Sequence, residues 1–263
     1  MDMMELIRTR KSVRTFDGRA VTDADREKLA EYIKTITNPY DIAVEFVLLD
    51  AKTHGLSSPV IQGEQLYIAG KVAKGEHCAE AFGFSFEKLV LFAWSLGIGT
   101  TWIGGTMKRE KFEQEAQVKD NEIMPCVSPL GYPAKKRSIK EIGMRTAIRA
   151  DKRIRVEELF FENDFATLLH SEEAKIQNAL EAVRLAPSAV NKQPWRIVKC
   201  GNAYHFYEKH TIGGNDTAWD VQKVDLGIAI CHFMSIVGGR LSITDPNIAA
   251  DKDTEYIATI TID

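Results

Sequence analysis

The segment Arg8–Phe16, which reads RTRKSVRTF, places three cations around one hydroxyl group. Arg10, Lys11 and Arg14 flank Ser12. Guanidinium groups match the oxygens of a phosphate and a serine hydroxyl adds a neutral donor, so this segment suits phosphate binding. The alternative is a solvated cationic helix end that offsets the dipole of the preceding helical sequence.

A second segment, APSAVNKQPW at residues 186–195, is both stiff and polar. Its two prolines restrict the backbone, and Ser188, Asn191 and Gln193 offer donors and acceptors between them. A loop of this kind can present polar groups to the edge of a planar heterocycle. It can also be an ordinary helix stop, which explains the prolines but not the density of polar side chains.

Glycines are concentrated in GIGTTWIGG at residues 97–105. They follow a helical sequence and lack the G-x-G-x-x-G spacing, so they do not predict a dinucleotide-binding turn. Gly104 and Gly105 instead predict a tight turn where a flat ligand can approach the backbone closely.

No nucleophile, base or metal motif accompanies these segments. The sequence lacks G-x-S-x-G, H-E-x-x-H and Walker motifs. Its six histidines show no metal-binding spacing supported by acids, and His205 and His210 are expected on the surface of a hairpin. We therefore expect no metal, and we expect a bound cofactor to carry the chemistry.

Composition excludes several classes of partner. The 263 residues carry a net charge of -3, which gives no electrostatic case for nucleic acid or an anionic membrane as the main partner. The amino terminus has no secretory pattern, and no apolar run has the length of a membrane span. The four cysteines form no C-x-x-C pair, so a cytoplasmic protein is expected.

The elements that must position these segments occur in the same order twice. A helix, a strand, a largely apolar helix and a later strand appear in each part of the chain. The first copy has a helix after Thr22, the strand Val44–Asp50 and the apolar helix Phe84–Leu96; the second has the helix Glu172–Leu185, the strands WRIVKC and YHFYE, and an apolar helix over about Val221–Val237.

Two copies with apolar central helices predict two similar halves, residues 1–150 and 151–263, packed against each other as an intramolecular pseudo-dimer. The charged segment Lys135–Glu158 is the expected join. The alternative is a mixed α/β protein whose elements resemble one another by chance.

Taken together, RKSVRTF and LAPSAVNKQPWRI resemble motifs of the FMN-dependent nitroreductase family, and LGIGTTWIGG and PLGYP extend the likeness over nearly the whole chain. The resemblance implies an α+β fold. It also implies FMN at the interface of an intertwined homodimer, with each site drawing on both subunits.

The resemblance assigns the phosphate and one edge of the flavin to the first motif. Arg10, Lys11 and Ser12 are implied to hold the FMN phosphate. Arg14 is implied to face the N1 and O2 edge of the ring, where a cation stabilises the reduced flavin.

The remaining ring contacts are implied to come from two backbone turns. Gly104 and Gly105 match the turn that faces the N5 and O4 edge. The loop that reaches the flavin from the partner subunit in this family is matched by Pro187, Ser188, Ala189 and Asn191.

The family also has a late arginine on the phosphate. Arg153, with Lys152 before it and VEELFF after it, fits that place best. Arg137 is the competing candidate.

The chain departs from the usual order of these motifs. In this family the loop matched by APSAVNKQPW, residues 186–195, which we call the Pro-Ser loop, lies a few dozen residues after the first motif. Here it appears only in the second half, which has no Arg-x-Ser-x-Arg motif. We therefore expect a fused pseudo-dimer, a monomer with one composite site per chain.

The function implied is an FMN oxidoreductase that takes hydride from NADPH or NADH and reduces a small-molecule electron acceptor such as a nitroaromatic or a quinone. The alternative is a flavin-binding storage or sensor protein without turnover. The acceptor pocket is expected to come from segments such as 54–63 and 210–219.

Overall fold

A computed structural model of the chain describes residues 2–170, 172–212 and 219–263. Its helices are α1 (Met3–Thr9), α2 (Asp23–Ile33), α3 (Cys78–Ser95), α4 (Arg109–Glu115), α5 (Ile139–Ala147), α6 (Ala174–Leu185) and α7 (Val221–Val237). Its strands are β1 (Val44–Asp50), β2 (Leu66–Ala73), β3 (Glu122–Ile123), β4 (Val127–Leu130), β5 (Phe160–Glu162), β6 (Trp195–Cys200), β7 (Ala203–Lys209), β8 (Arg240–Ser242) and β9 (Thr254–Thr261). None of the described helices has the length and hydropathy needed to cross a membrane.

The strands form two sheets, one from each part of the chain. In the first sheet β2 pairs antiparallel with β1, β3 and β4. The second has the order β5-β6-β7-β9-β8, in which only the pairing of β5 with β6 is parallel. The predicted α+β class with two similar halves is confirmed, while the boundary between residues 150 and 151 stays a prediction.

The two apolar helices α3 and α7 cross at the centre of the molecule in a reciprocal contact. A Cβ added to Gly83 would lie 2.0 Å from the carbonyl oxygen of Val224. A Cβ added to Gly227 would lie 2.0 Å from the carbonyl oxygen of Glu80. Gly83 lies three residues after Glu80, and Gly227 lies three residues after Val224. The two contacts are therefore equivalent, as expected for two copies related by a local two-fold axis.

Most predicted elements match the observed ones. The bounds of β1 and α7 agree with the prediction, and β6 and β7 form the expected hairpin. Helix α3 begins at Cys78, six residues before the predicted start, because the preceding residues are also buried. The expected join at Lys135–Glu158 contains a helix, α5, which the sequence analysis missed.

We predict that Gly83→Ala destabilises the protein by about 3 kcal/mol or more, because its methyl group would overlap a backbone carbonyl that cannot rotate away. Thermal or urea unfolding measures the change. The matched control is Gly143→Ala on α5, where an added Cβ meets nothing within 4 Å. Equal stability of the two variants would contradict the close helix crossing.

Candidate functional site

The Arg10–Arg14 segment lies extended after the end of α1. The Val13 N–H donates to the Thr100 carbonyl at 2.8 Å, and Ser12 forms a parallel bridge with Thr100. A Cβ on Gly99 would lie 2.7 Å from Val13 Cγ2, so this approach requires glycine at position 99. The first motif is thereby held against the chain that follows α3.

A cavity of about 90 Å³ brings the first motif together with the Pro-Ser loop of the second half. We call it the composite cavity, because both halves of the sequence contribute to its wall. Its lining residues are Arg10, Lys11, Ser12, Arg14, Arg145, Ile148, Ala150, Asp151, Arg153, Pro187, Ser188 and Asn191. Residues about 175 positions apart therefore meet, as the sequence analysis expects.

Three guanidinium groups of the composite cavity carry buried nitrogens without hydrogen-bond partners among the described residues: Arg10 Nε and Nη1, Arg14 Nη1, and Arg153 Nε. Burial lowers the pKa of all three, and the charge of Arg145 lowers the pKa of Arg10 and Arg14 further. Glu87 opposes this effect at Arg10, and Glu141 opposes it at Arg14. A buried, partly unpaired cluster of cations is stabilised by an anion.

Arg10 is oriented by a buried acid on α3. Its Nε lies 3.9 Å from Glu87 Oε1, and Glu87 Oε2 accepts from Trp102 Nε1 at 3.1 Å. His232 of α7 contacts Glu87 through Nε2 at 3.0 Å and the Ala182 carbonyl through Nδ1 at 2.8 Å. His232 thereby links α6, through the Ala182 carbonyl, to Glu87 of α3.

The Pro-Ser loop keeps an unusual backbone through its own hydrogen bonds. Val190, Asn191 and Gln193 have φ values of 43°, 59° and 52°, in the left-handed region that non-glycine residues rarely adopt. Ser188 Oγ accepts from the Gln193 N–H at 2.8 Å. Strained backbone of this kind persists where the surroundings fix it, and such positions cluster at functional sites.

The Asp225 side chain on α7 holds the backbone of the Pro-Ser loop at Ala189. Both carboxylate oxygens lie 3.0 Å from the Ala189 nitrogen, which donates to them. Burial raises the pKa of Asp225 well above its usual value, while the Ala189 N–H opposes that rise. This contact makes the backbone of Ala189 part of the loop support.

The amide side chains of the loop hold the chain around Arg153. Asn191 Nδ2 donates to the carbonyls of Arg149 and Lys152 at 2.8 and 2.9 Å. Gln193 Oε1 accepts from the Ile154 N–H at 2.9 Å. The polar density of the loop therefore serves in large part to position Arg153.

Helix α5 contributes two residues that the sequence analysis missed. Glu141 Oε2 accepts from the Arg14 N–H at 3.3 Å and from Thr15 Oγ1 at 2.8 Å. Arg145 lines the composite cavity and pairs with Asp151. The pattern Ser138-x-x-Glu141, whose serine caps α5, is the sequence signal that predicts this helix.

Comparison with known proteins identifies the family. The family described as "Putative TM nitroreductase" matches residues 2–236. The chain belongs to this nitroreductase family. Its membership supports an oxidoreductase as the class of activity. Among curated proteins, no match was found.

A solved structure with the same fold matches the whole chain, and others match about half of it. A nitroreductase-family structure from Thermotoga maritima is similar over 100% of this chain and 94% of its own, with 22% identity and a TM-score of 0.63. A nitroreductase family protein from Clostridium novyi NT matches 51% of this chain and 87% of its own, at 18% identity and a TM-score of 0.45. An FMN-dependent nitroreductase from Clostridium difficile R20291 matches 51% and 88%, at 16% identity and a TM-score of 0.44.

Other residues expected from the nitroreductase resemblance lie outside the composite cavity. Gly104 and Gly105 are exposed and do not line it. The Gly104 carbonyl accepts from Arg109 Nη2 at 2.7 Å, and the Arg109 guanidinium lies 4.8 Å from the Trp219 ring centre. Their role toward a flavin stays a prediction.

The two candidates for the late arginine are separated. Arg153 lines the composite cavity, whereas Arg137 pairs with Glu141 at 3.3 Å and lines a neighbouring cavity. The geometry favours Arg153. Of the segments expected to form the acceptor pocket, 54–63 lines neither cavity, and residues 213–218 lie outside the described part of the chain.

The expectation for His205 is wrong, because its side chain is buried and Nδ1 contacts Thr259 Oγ1 at 2.7 Å. His210 is exposed as expected, but it lies 2.9 Å from Glu208, and the potential ligand atoms of these two residues and Asp220 lie within 4.8 Å of one another. Burial raises the pKa of Glu208 to about 8. The absence of a metal stays a prediction.

The residues present fit the phosphate end of FMN. Unpartnered guanidinium nitrogens and the Ser12 hydroxyl are the donor set that a phosphate dianion requires. Pockets that enclose a whole small-molecule ligand measure roughly 300–1,000 Å³, so a cavity of about 90 Å³ admits a phosphate but not the whole nucleotide. The phosphate is therefore the part of FMN whose binding this cavity accounts for.

We predict that Arg10→Gln with Ser12→Ala weakens FMN binding at least about tenfold, because hydrogen bonds from charged donors to phosphate are lost. Fluorescence titration of FMN into flavin-free protein measures the affinity. Arg19→Gln is the matched control, since Arg19 is exposed, contacts Asp17 and the Tyr132 ring, and does not line the composite cavity. Unchanged affinity in the double variant would refute the phosphate assignment.

Proposed function

We propose that the protein is an FMN-dependent oxidoreductase, a flavoprotein that takes hydride from NADPH or NADH and passes the electrons to a small planar acceptor such as a nitroaromatic or a quinone. The observation that carries this proposal is the composite cavity, where three partly unpaired guanidinium groups from both halves converge. Membership of the nitroreductase family supports it.

Bound FMN would supply hydride transfer at N5, and the chain's own residues would bind and orient it. Arg10, Ser12 and Arg153 would hold the phosphate, with Arg10 fixed by Glu87. Arg14, whose Nη1 has no hydrogen-bond partner in the described structure, would stabilise negative charge on the reduced flavin. Under this proposal a monomer acts as a pseudo-dimer with one site per chain, and its compartment is the cytoplasm.

The second candidate is a flavin-binding storage or sensor protein without turnover. Its supporting observation is the small volume of the composite cavity, about 90 Å³, which leaves little room for a second substrate beside a bound ligand.

Anaerobic mixing of the FMN-loaded protein with NADPH or NADH separates the two candidates. We predict loss of the oxidised flavin absorbance with at least one donor, followed by its return on addition of a nitroaromatic or a quinone. Full retention of the oxidised spectrum with both donors would contradict the enzyme and favour the binding protein. Free FMN with the same donors is the control.

A further inference from the structure

A second, larger cavity of about 420 Å³ opens beside the composite cavity. We call it the α5 cavity, because α5 and the chain that follows it form its wall. Its charged lining residues include Arg137, Arg145, Arg149 and Lys152. Its volume lies within the range of small-molecule sites, roughly 300–1,000 Å³.

The charge around this cavity contrasts with the rest of the chain. Residues 135–155 carry nine Lys and Arg against two acids, in a protein whose net charge is -3. The two acids are already paired, Glu141 with Arg137 and Asp151 with Arg145. Neither Arg149 nor Lys152 lies within ion-pair distance of an acid in the described part of the chain. Two cations are therefore available to an anion.

The α5 cavity and the composite cavity share part of their walls, namely Arg145, Ala150 and Asp151. A ligand with an anionic group in the α5 cavity can therefore extend its remaining part toward the residues of the composite cavity. The arrangement suits a substrate that is anchored at one end and reacts at the other.

The backbone that carries the free cations is held in an uncommon conformation. Arg149 has φ of 50°, in the left-handed region, and its carbonyl accepts from Asn191 Nδ2 at 2.8 Å. Non-glycine residues persist in this region only where their surroundings fix them. The Pro-Ser loop of the second half thus holds the wall of both cavities.

We propose that the α5 cavity binds an anionic group, a phosphate or a carboxylate, of the substrate that reacts with the flavin whose phosphate the composite cavity holds; this rests on the function proposed above. Two sources offer that chemistry. One is the 2′-phosphate of NADPH, which NADH lacks, and the other is an acidic substituent on the electron acceptor.

The first arm of the test is a binding measurement that needs no turnover. Calorimetry compares NADP⁺ with NAD⁺ on the FMN-loaded wild type and on Arg149→Gln/Lys152→Gln. A 2′-phosphate in the α5 cavity predicts that the double variant loses at least about tenfold in NADP⁺ affinity and less than about twofold in NAD⁺ affinity. Lys136→Gln/Lys140→Gln removes the same charge from exposed positions on and before α5 and is expected to change neither.

The second arm compares para-nitrobenzoate with nitrobenzene as electron acceptors, through the Michaelis constant of each compound. A higher Michaelis constant for para-nitrobenzoate, but not for nitrobenzene, in the Arg149→Gln/Lys152→Gln variant would identify the electron acceptor as the source of the anion. That result supports the proposal, as the NADP⁺ result does. The proposal is overturned if the variant keeps both the wild-type ratio of NADP⁺ to NAD⁺ affinity and the wild-type ratio of the two Michaelis constants. Weaker FMN binding in this variant would also overturn it, because the cavity would then hold the flavin nucleotide.

The two proposals fail separately. If the proposed function is wrong, the wild type binds no FMN or is not reduced by either donor. If only the anion site is wrong, the wild type is reduced and the double variant retains wild-type preferences in both arms.

Discussion

The close crossing of α3 and α7 is the contact on which the rest of the structure depends. Gly83 and Gly227 allow each helix backbone to approach a carbonyl of the other, and any side chain at either position would separate the helices. The crossing brings Glu87 of α3 to His232 of α7 and so orients Arg10. It also places Asp225 under the Pro-Ser loop. The same pair of helices, α3 and α7, therefore positions residues on both sides of the composite cavity.

The composite cavity is positively charged, because three arginine side chains line it. Arg10, Arg14 and Arg153 are removed from water, and only part of their charge is offset by Glu87 and Glu141. Removing cations from water costs free energy unless partners replace the solvent, so this arrangement favours the bound state of an anionic ligand. The left-handed backbone of the Pro-Ser loop serves the same cluster of cations, because the hydrogen bonds of this loop keep Arg153 in place.

Much of the fold and part of the site can be predicted from the sequence. Strong apolar runs predict α7 and β1, and these elements are a buried helix and a partly buried strand. The two polar motifs predict part of the lining of the composite cavity, whereas Arg145 and the lining residues shortly after it come from α5 and the chain that follows this helix. The residues that could not be predicted act through long-range packing. Glu87, His232 and Asp225 are polar residues within largely apolar helices, and the helix crossing sets their partners. Helix α5 was missed because the charged segment Lys135–Glu158 was interpreted as the join between the halves, although Ser138 and Glu141 form a capping pattern.

The central claim is that one chain supplies both sides of a single cofactor site. Mixing chains that carry Arg10→Gln/Ser12→Ala with chains that carry Ser188→Ala/Asn191→Ala, by joint refolding, tests it most directly through the number of high-affinity FMN sites. A site built within one chain predicts no recovery above the two variants alone. Recovery of about a quarter of the wild-type sites, the share expected when two chains form each site in a randomly mixed dimer, would contradict the account.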